Sequence, residues 1–199
     1  MTHAATRIIL DEHAALSAML RSLLGMLHQG PGDEPERFFD VMRAMLFYVD
    51  EFPERLHHPK ESELLFPRLG RARPDLLTVI KALDDDHVMG EGRVRELQHQ
   101  LLAWELLGES RRPSFERQVQ EYVRFYLEHM ATEEKKLLPA AEESLVAADW
   151  DVLDRAFAID RDPLAGGTRD PHYDRLFTRI VRTAPAPIGV GQPLAAQGS

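Results

Sequence analysis

Apolar residues recur every three or four positions along most of the chain, and the strict apolar–polar alternation that is typical of β-strands is scarce. This spacing predicts amphipathic helices, because residues three or four apart lie on one face of a helix. Four long helices are predicted at roughly 6–29, 36–67, 75–106 and 115–148, separated by short stretches rich in glycine, proline and charged residues.

The second helix is expected to stop near Pro67, whereas the fourth is expected to pass Pro139 and break near 148–150. Four long helices with short connections predict an all-α fold, an up-down-up-down four-helix bundle. A further short helix, with Asp170 as N-cap and Pro171 as first residue, is predicted to pack on this bundle. We therefore expect a bundle at 1–147, a C-terminal helical extension at 148–183 and a flexible tail at 184–199.

Charge and composition narrow the classes of function. The formal net charge of −9 argues against a nucleic-acid partner that is bound through a basic surface. The lack of cysteine excludes disulfides, thiolate metal sites and cysteine nucleophiles. The N-terminus lacks the pattern of a signal peptide, and no stretch approaches the ~20 apolar residues of a membrane-spanning helix. We therefore expect a cytoplasmic protein with no membrane partner.

One pattern, His-x3-Glu-x3-Leu-x-Pro, occurs twice with identical spacing. Its residues are His57, Glu61, Leu65 and Pro67 in the first copy and His129, Glu133, Leu137 and Pro139 in the second. Upstream of each copy stands an acidic-acidic-histidine triplet, which ends at His13 in the first half and at His87 in the second. The chain therefore reads as two helical hairpins of one pattern.

The spacing in this pattern suits metal binding. Residues i and i+4 are neighbours on a helix face, so an imidazole nitrogen and a carboxylate can converge on one point. Two hairpins packed antiparallel would bring four imidazoles and two carboxylates, which can bridge metal ions, into the middle of a bundle. The acidic residues of the triplets are candidate acceptors for the imidazole N–H groups. The candidate ligands are His13, His57, Glu61, His87, His129 and Glu133.

A second histidine, His58, directly follows His57, and helical spacing leaves either residue open as a ligand. His57 is four residues before Glu61 and His58 is three residues before it, and both spacings bring side chains together on a helix. Only His57 reproduces the four-residue spacing of the other copy of the pattern. We therefore predict His57 as a ligand and His58 as a residue behind the ligands or at the rim of their pocket.

These residues also carry a resemblance, which covers roughly 5–145. The sequence resembles the hemerythrin-like (HHE cation-binding) family. The resemblance rests on His13, on HHPKE at 57–61, on His87 and on HMATEE at 129–134. It implies a four-helix bundle around a non-haem di-iron centre with an oxo or hydroxo bridge. It also implies that the six candidate residues bind iron, with Glu61 and Glu133 as the bridging carboxylates.

The third and fourth helices depart from the oxygen-carrying hemerythrins. Those proteins have His-x3-His on the third helix and His-x4-Asp on the fourth, whereas this chain has His87-x3-Glu91 and His129-x3-Glu133. The centre would hold fewer nitrogen donors, which disfavours simple reversible oxygen carriage and is closer to relatives linked to sensing or to oxidase and peroxidase chemistry. Glu91, flanked by two glycines, is a candidate seventh ligand, and the alternative is a surface residue.

We expect a protein that binds, senses or reduces O2, nitric oxide or peroxide at a centre of two iron ions, with manganese or zinc as alternative metals. Reduction would make it an oxidoreductase of the oxidase or peroxidase kind. One alternative is an iron or oxygen sensor without turnover, and another is a metal-free helical module that binds other proteins. The sequence does not identify a redox or signalling partner.

Overall fold

The computed structural model describes residues 2–168 and 171–190, and the regular elements within them are all helical. The helices, labelled in chain order, are α1 (Ala4–Gln29), α2 (35–72), α3 (Leu77–Leu107), α4 (112–144), α5 (Ala147–Ala158) and α6 (Asp174–Thr183). Short 3-10 turns lie at Pro74–Leu76, Glu109–Arg111, Pro163–Ala165 and Pro171–Tyr173. Asp170, the predicted N-cap of the last helix, lies outside the described residues.

Helices α1 to α4 form the four-helix bundle, with up-down-up-down topology, that the sequence predicts. Each helix packs against the next, and α4 packs against α1, so the four helices close into a ring. The turns that end α1 and α3 contain Gly30 at φ 68° and Gly108 at φ 88°. Glycine adopts this left-handed backbone without a Cβ clash, which lets both hairpins turn sharply.

The bundle contains two apolar cores, one towards each end. The larger core begins at Leu16 on α1 and at Val94 on α3, and the smaller core includes Ile9 on α1 and Leu83 on α3. On each of the four helices, the histidines and glutamates of the duplicated pattern fall where one core gives way to the other. The two cores therefore enclose a buried polar layer that crosses the middle of the bundle.

The sequence predicts that α2 stops near Pro67, but the helix continues to Ala72. Its segments are α-helical at Pro35–Val49, His58–Lys60 and Phe66–Ala72 and π-helical at Asp50–His57 and Glu61–Leu65. A proline has no N–H to donate and its ring clashes with the carbonyl four residues back in a regular helix. The wider π-helical turn that precedes Pro67 accommodates the ring without ending the helix.

A π-helical turn also precedes the proline of the pattern in α4. There, Glu133–Leu137 is π-helical, and the α-helical segment Leu138–Ser144 that follows has the proline in its first turn. The N–H of Phe66 donates to the carbonyl of Glu61, and the N–H of Leu138 donates to that of Glu133. In both copies of the pattern, the π-helical turn therefore begins at the glutamate and ends just before the proline.

The chain after α4 packs back onto the bundle. Helix α5 lies against α1 and contributes Phe157 to the smaller core, and α6 lies against α2 and contributes Phe177 to the larger core. The break between α4 and α5 falls at 145–146, slightly earlier than the predicted 148–150. The division of the chain into bundle, extension and tail stays a prediction.

Part of the predicted flexible tail, 184–190, lies against α1. The Ser22 hydroxyl donates to the carbonyl of Pro185 and accepts from the N–H of Ile188, each over 3.0 Å. The remainder of that tail, 191–199, lies outside the described residues. None of the helices in the described ranges is long and apolar enough to cross a membrane.

Candidate metal centre

All six histidines and glutamates of the duplicated pattern lie in the buried polar layer, each at most 7% exposed. They come from all four helices of the bundle: His13 from α1, His57 and Glu61 from α2, His87 from α3, and His129 and Glu133 from α4. Their side chains form two groups that share Glu61, and within each group the donor atoms lie within 4.8 Å of one another. The structure thus brings together all six residues of the duplicated pattern.

The first group is His13, His57 and Glu61. Nε2 of His57 lies 3.3 Å from Oε1 of Glu61, one turn further along α2. Nε2 of His13 lies 3.3 Å from Oε2 of Glu133, which belongs to the second group. Both imidazoles of this group therefore face a carboxylate oxygen.

The second group is Glu61, His87, His129 and Glu133. Nε2 of His129 lies 3.4 Å from Oε1 of Glu133, and Nε2 of His87 lies 3.5 Å from Oε2 of Glu61. Each glutamate thus directs one oxygen towards an imidazole of the first group and the other oxygen towards an imidazole of the second. This is the position that a carboxylate bridging two metal ions would occupy.

The two carboxylates lack the partners that buried carboxylates need. Both oxygens of Glu61, both oxygens of Glu133 and Nε2 of His57 make no hydrogen bond of good geometry within the described residues, although imidazole nitrogens stand at 3.3–3.9 Å. Buried polar atoms without partners are costly and rare in folded proteins. Two cations between these atoms would satisfy them, so the donor set fits a pair of metal ions, and nitrogen with oxygen donors suits iron, manganese or zinc.

Each imidazole directs one nitrogen into the layer and the other to an acceptor outside it, which fixes the orientation of the ring. By the distance from Nδ1 to oxygen, the pairs are His57 with Glu12 (2.6 Å), His87 with Ser62 (2.9 Å), His13 with Glu134 (3.1 Å) and His129 with Asp86 (3.3 Å). Glu12 and Asp86 are acids of the triplets, as predicted. The other two acids, Asp11 and Asp85, instead pair with Arg161 and Lys81 at the surface.

The layer raises the pKa of some of its imidazoles and lowers that of others, His87 and His58. Burial lowers the pKa of His13, but the nearby carboxylates of Glu133 and Glu134 together outweigh burial and raise the pKa to about 9. Burial raises the pKa of Glu133, yet His129 and His13 hold that pKa well below its usual value. For His87, burial and the neighbouring His58 and His129 hold the pKa below its ordinary value. A neutral nitrogen is the form that binds a metal.

His58 also points into the layer rather than to its rim. It is 4% exposed, its ring stacks on that of His87 with 4.2 Å between ring centres, and it approaches His129. His57 and His58 both face inward because His57 ends a π-helical segment, whose wide turn separates neighbouring side chains by less than the ~100° of an α-helix. The periodicity of a regular helix could not show this.

Glu54 is a residue of the site that was not predicted. It accepts a hydrogen bond from Nδ1 of His58 over 3.0 Å, another from the hydroxyl of Tyr122 over 3.0 Å and a third from that of Tyr126. Burial raises the pKa of Glu54 to about 7. Its position four residues before His58 is the signal that could have found it, since that spacing also joins His57 to Glu61.

Glu91, the candidate seventh ligand, does not reach the centre, which corrects the sequence prediction. Its side chain is 46% exposed and forms an ion pair with Arg95, one turn along α3. The inward position here belongs to Gly90, where a Cβ atom would overlap the hydroxyl oxygen of Tyr126. Gly90 therefore permits a close approach of two helices. Glu91 itself is a surface residue, which was the alternative to its being a ligand.

A small cavity lies beside His13 and His57. Its volume is about 10 Å³, room for roughly one water molecule. The apolar side chains of Leu16 and Phe52 form part of its wall, and Asp162, from the segment that follows α5, forms another part.

Comparison with known proteins agrees with this geometry. The sequence profile of the hemerythrin HHE cation-binding domain matches residues 4–141, a span that contains all six residues of the two groups and ends within α4. A search of curated proteins finds no match. Because the profile covers more than half of the chain, the protein belongs to the hemerythrin HHE cation-binding domain family.

Proposed function

We propose that this protein holds two iron ions in the buried layer and uses them to bind, sense or reduce O2, nitric oxide or peroxide. His13 and His57 would serve one ion, and His87 and His129 the other. Glu61 and Glu133 would bridge the pair. His58, which lies close to His87 and His129, would supply an additional nitrogen donor to the second ion.

The observation that carries this proposal is the orientation of the two glutamates. Each has one oxygen towards each group of imidazoles, and none of the four oxygens has a hydrogen bond of good geometry within the described residues. A metal-free interaction module would leave these buried acceptors uncompensated, which disfavours that alternative.

Two adjacent iron ions would supply redox chemistry and open coordination positions. The chain's own residues supply orientation. Glu12, Ser62, Glu134 and Asp86 hold the imidazole rings through Nδ1, so that each Nε2 stays directed into the layer. The apolar cores on either side exclude water from the centre.

The size of the cavity supports a small ligand. A volume of about 10 Å³ beside His13 and His57 has room for roughly one water molecule, so without a rearrangement of the wall it excludes a bulky organic substrate.

Metal analysis with visible spectroscopy tests the proposal. Protein that is purified anaerobically from iron-supplemented cells should contain two irons per chain, and after oxidation it should show ligand-to-metal charge-transfer bands that shift with azide. A colourless protein with fewer than two metal ions would contradict it. If the protein contained two zinc ions instead of iron, the dinuclear site would be supported, but its assignment to iron would be overturned.

Turnover separates an enzyme from a sensor. Loaded protein should be mixed with peroxide and a chemical reductant, and peroxide consumption should be followed over many equivalents. Sustained consumption would support an oxidoreductase, whereas a single equivalent followed by a stable spectral change would support a sensor.

A further inference from the structure

The segment that follows α5 reaches the metal centre although it lies outside the family match, which ends at residue 141. The backbone N–H of Asp162 donates to Oε1 of Glu12 over 2.9 Å. The other oxygen of Glu12, Oε2, accepts from Nδ1 of His57 over 2.6 Å. A continuous path of hydrogen bonds thus runs from this segment through one carboxylate to an imidazole of the first group.

The side chain of Asp162 fixes the backbone that makes this contact. Asp162 is 6% exposed, its Oδ1 accepts from the N–H of Leu164 over 2.8 Å, and its Oδ2 accepts from the hydroxyl of Tyr48. Tyr48 is fully buried in the larger core of the bundle. The carboxylate therefore ties a loop of the extension to a rigid point on α2.

A second contact holds the same segment on the N-terminal side of Asp162. Lys60, adjacent to Glu61 on α2, donates to the carbonyl of Ile159 over 2.6 Å and to that of Asp160 over 3.3 Å. The carbonyl of Asp162 accepts from the N–H groups of Ala165 and Gly167, so the loop closes on itself as well. The segment is therefore held on both sides of Asp162, whose N–H donates to Glu12.

The orientation of Glu12 depends on the two hydrogen bonds that its carboxylate accepts within the described part of the chain. Its two oxygens bond to Asp162 and to His57, and it lies on α1 next to the ligand His13. A carboxylate with only one partner would be free to rotate, and the ring of His57 would then lose a fixed direction for Nε2.

We propose that Asp162 is a positioning residue of the metal centre, which acts through Glu12 to orient His57, and that the C-terminal extension is for this reason part of the site. The inference rests on the proposed function in that it needs a metal at the first group, and it assigns Asp162 no contact with the metal or with a ligand.

The test is an anaerobic titration of metal-free protein with Co(II), whose visible absorption reports each ion as it binds. Wild-type protein should bind two equivalents. Asp162→Ala should bind one of them about 10- to 100-fold more weakly, the effect typical of losing an outer partner of a ligand, and leave the other unchanged. Asp162→Asn should restore binding to within about threefold, because its amide oxygen can accept from Leu164 and its amide N–H can donate to Tyr48.

Asp151→Asn is the matched control, since Asp151 is an exposed aspartate on α5 of the same extension. It should bind both equivalents as the wild type does. Should Asp162→Ala not fold, Tyr48→Phe replaces it, because it removes only the hydroxyl that holds Asp162 and keeps the buried ring. Two equivalents bound by Asp162→Ala, or by Tyr48→Phe in its place, with wild-type affinity would overturn the inference and leave the proposed function standing.

A second measurement keeps the inference separate from the proposed function. In metal-free protein, the Nδ1–H of His57 should exchange slowly with water in the wild type and much faster in Asp162→Ala, with His129 unchanged, as seen in the imidazole signals of nitrogen-15 NMR spectra. If wild-type protein bound fewer than two ions, the proposed function would fail, and this exchange rate would still decide whether Asp162 orients His57 through Glu12. Equal rates in the two proteins would overturn it.

Discussion

At the scale of single residues, each of the four imidazoles divides its two nitrogens between an outward acceptor and the buried layer. The acceptors differ in kind: three are carboxylates, from Glu12, Glu134 and Asp86, and one is the hydroxyl of Ser62. A carboxylate acceptor makes the opposite nitrogen a stronger ligand than a hydroxyl does. His87, with the hydroxyl, is therefore expected to be the weakest of the four nitrogen donors.

His57→Ala and His58→Ala should have different consequences for metal content. His57 and His13 are the two imidazoles of the first group, so loss of His57 should reduce the bound metal from two ions to about one. The second group keeps His87 and His129 when His58 is removed, so His58→Ala should retain two ions with weaker affinity. Metal analysis of the two variants purified in parallel checks this, and greater loss in His58→Ala would reverse the assignment.

Asp162 should make stability depend on pH in a direction that is unusual for a carboxylate. Burial raises its pKa from 3.8 to about 6. Between about pH 4 and pH 6, Asp162 is therefore protonated in the folded chain but ionised in the unfolded chain. Stability therefore falls as pH rises from about 4 to 6, by a total of about 3 kcal/mol, and is constant above pH 7 as far as this group is concerned.

Asp162→Asn removes that titration and serves as the comparison. In chelator-treated protein, urea unfolding at pH 4.5 and at pH 7.5 should show the Asp162→Asn variant gaining stability relative to the wild type as pH rises, because the amide carries no charge to bury. A stability difference that is the same at both pH values would contradict the raised pKa.

At the scale of the elements, the two copies of the pattern are copies of a backbone shape as well as of a ligand set. The π-helical turn begins at Glu61 in α2 and at Glu133 in α4, and in each copy the proline is the second residue after the turn ends. The leucine and proline of the pattern thus mark the place where the helix widens beside the candidate ligands. Such turns inside α-helices are frequent at functional sites.

The contact between α3 and α4 depends on Gly90. A Cβ atom at this position would overlap the hydroxyl oxygen of Tyr126 and lie 3.0 Å from Oε1 of Glu54. Gly90→Ala should therefore displace Tyr126, break its hydrogen bond to Glu54 and destabilise the protein by about 1–3 kcal/mol.

Gly92, two residues further along the same helix, is the matched control. A Cβ atom there would meet no atom within 4 Å, so Gly92→Ala should stabilise the protein by about 0.5–1 kcal/mol through helix propensity. Urea unfolding measures both variants. If Gly90→Ala were neutral or stabilising, helix propensity alone would account for both variants. That result would contradict the close approach of α3 to Tyr126 at Gly90.

At the scale of the whole molecule, two apolar cores enclose a layer of charge, and the carboxylate oxygens of Glu61 and Glu133 in that layer lack hydrogen-bond partners within the described residues. Cations that bind this layer in the folded state, but not in the unfolded chain, must stabilise the fold by mass action. Metal binding and global stability are therefore linked through the same residues.

Loading with iron should raise the melting temperature. At a free metal concentration about 100 times the Kd, each bound ion stabilises the protein by about 2.7 kcal/mol, which corresponds to roughly 5–11 °C per ion for a chain of this size. Calorimetry of loaded and chelator-treated protein checks this. Glu61→Gln is the control that should lose the metal-dependent increase, because Glu61 is common to both groups. An equal increase in this variant would show that the metal binds elsewhere.

The sequence by itself determined the four-helix bundle and the set of six residues that meet at its centre. Helical periodicity is a local property, and the duplicated spacing of histidine and glutamate survives whatever the helices pack against. The family resemblance, confirmed by the profile match over 4–141, follows from the same residues.

Only the tertiary structure decided which further residues join the centre. His58 faces inward because of a π-helical turn, Glu91 pairs at the surface, and Asp162 arrives from 150 residues beyond Glu12 along the chain. Each of these depends on a backbone irregularity or on a contact between distant segments. Such contacts are set by packing of the whole fold, and no periodicity within one helix encodes them.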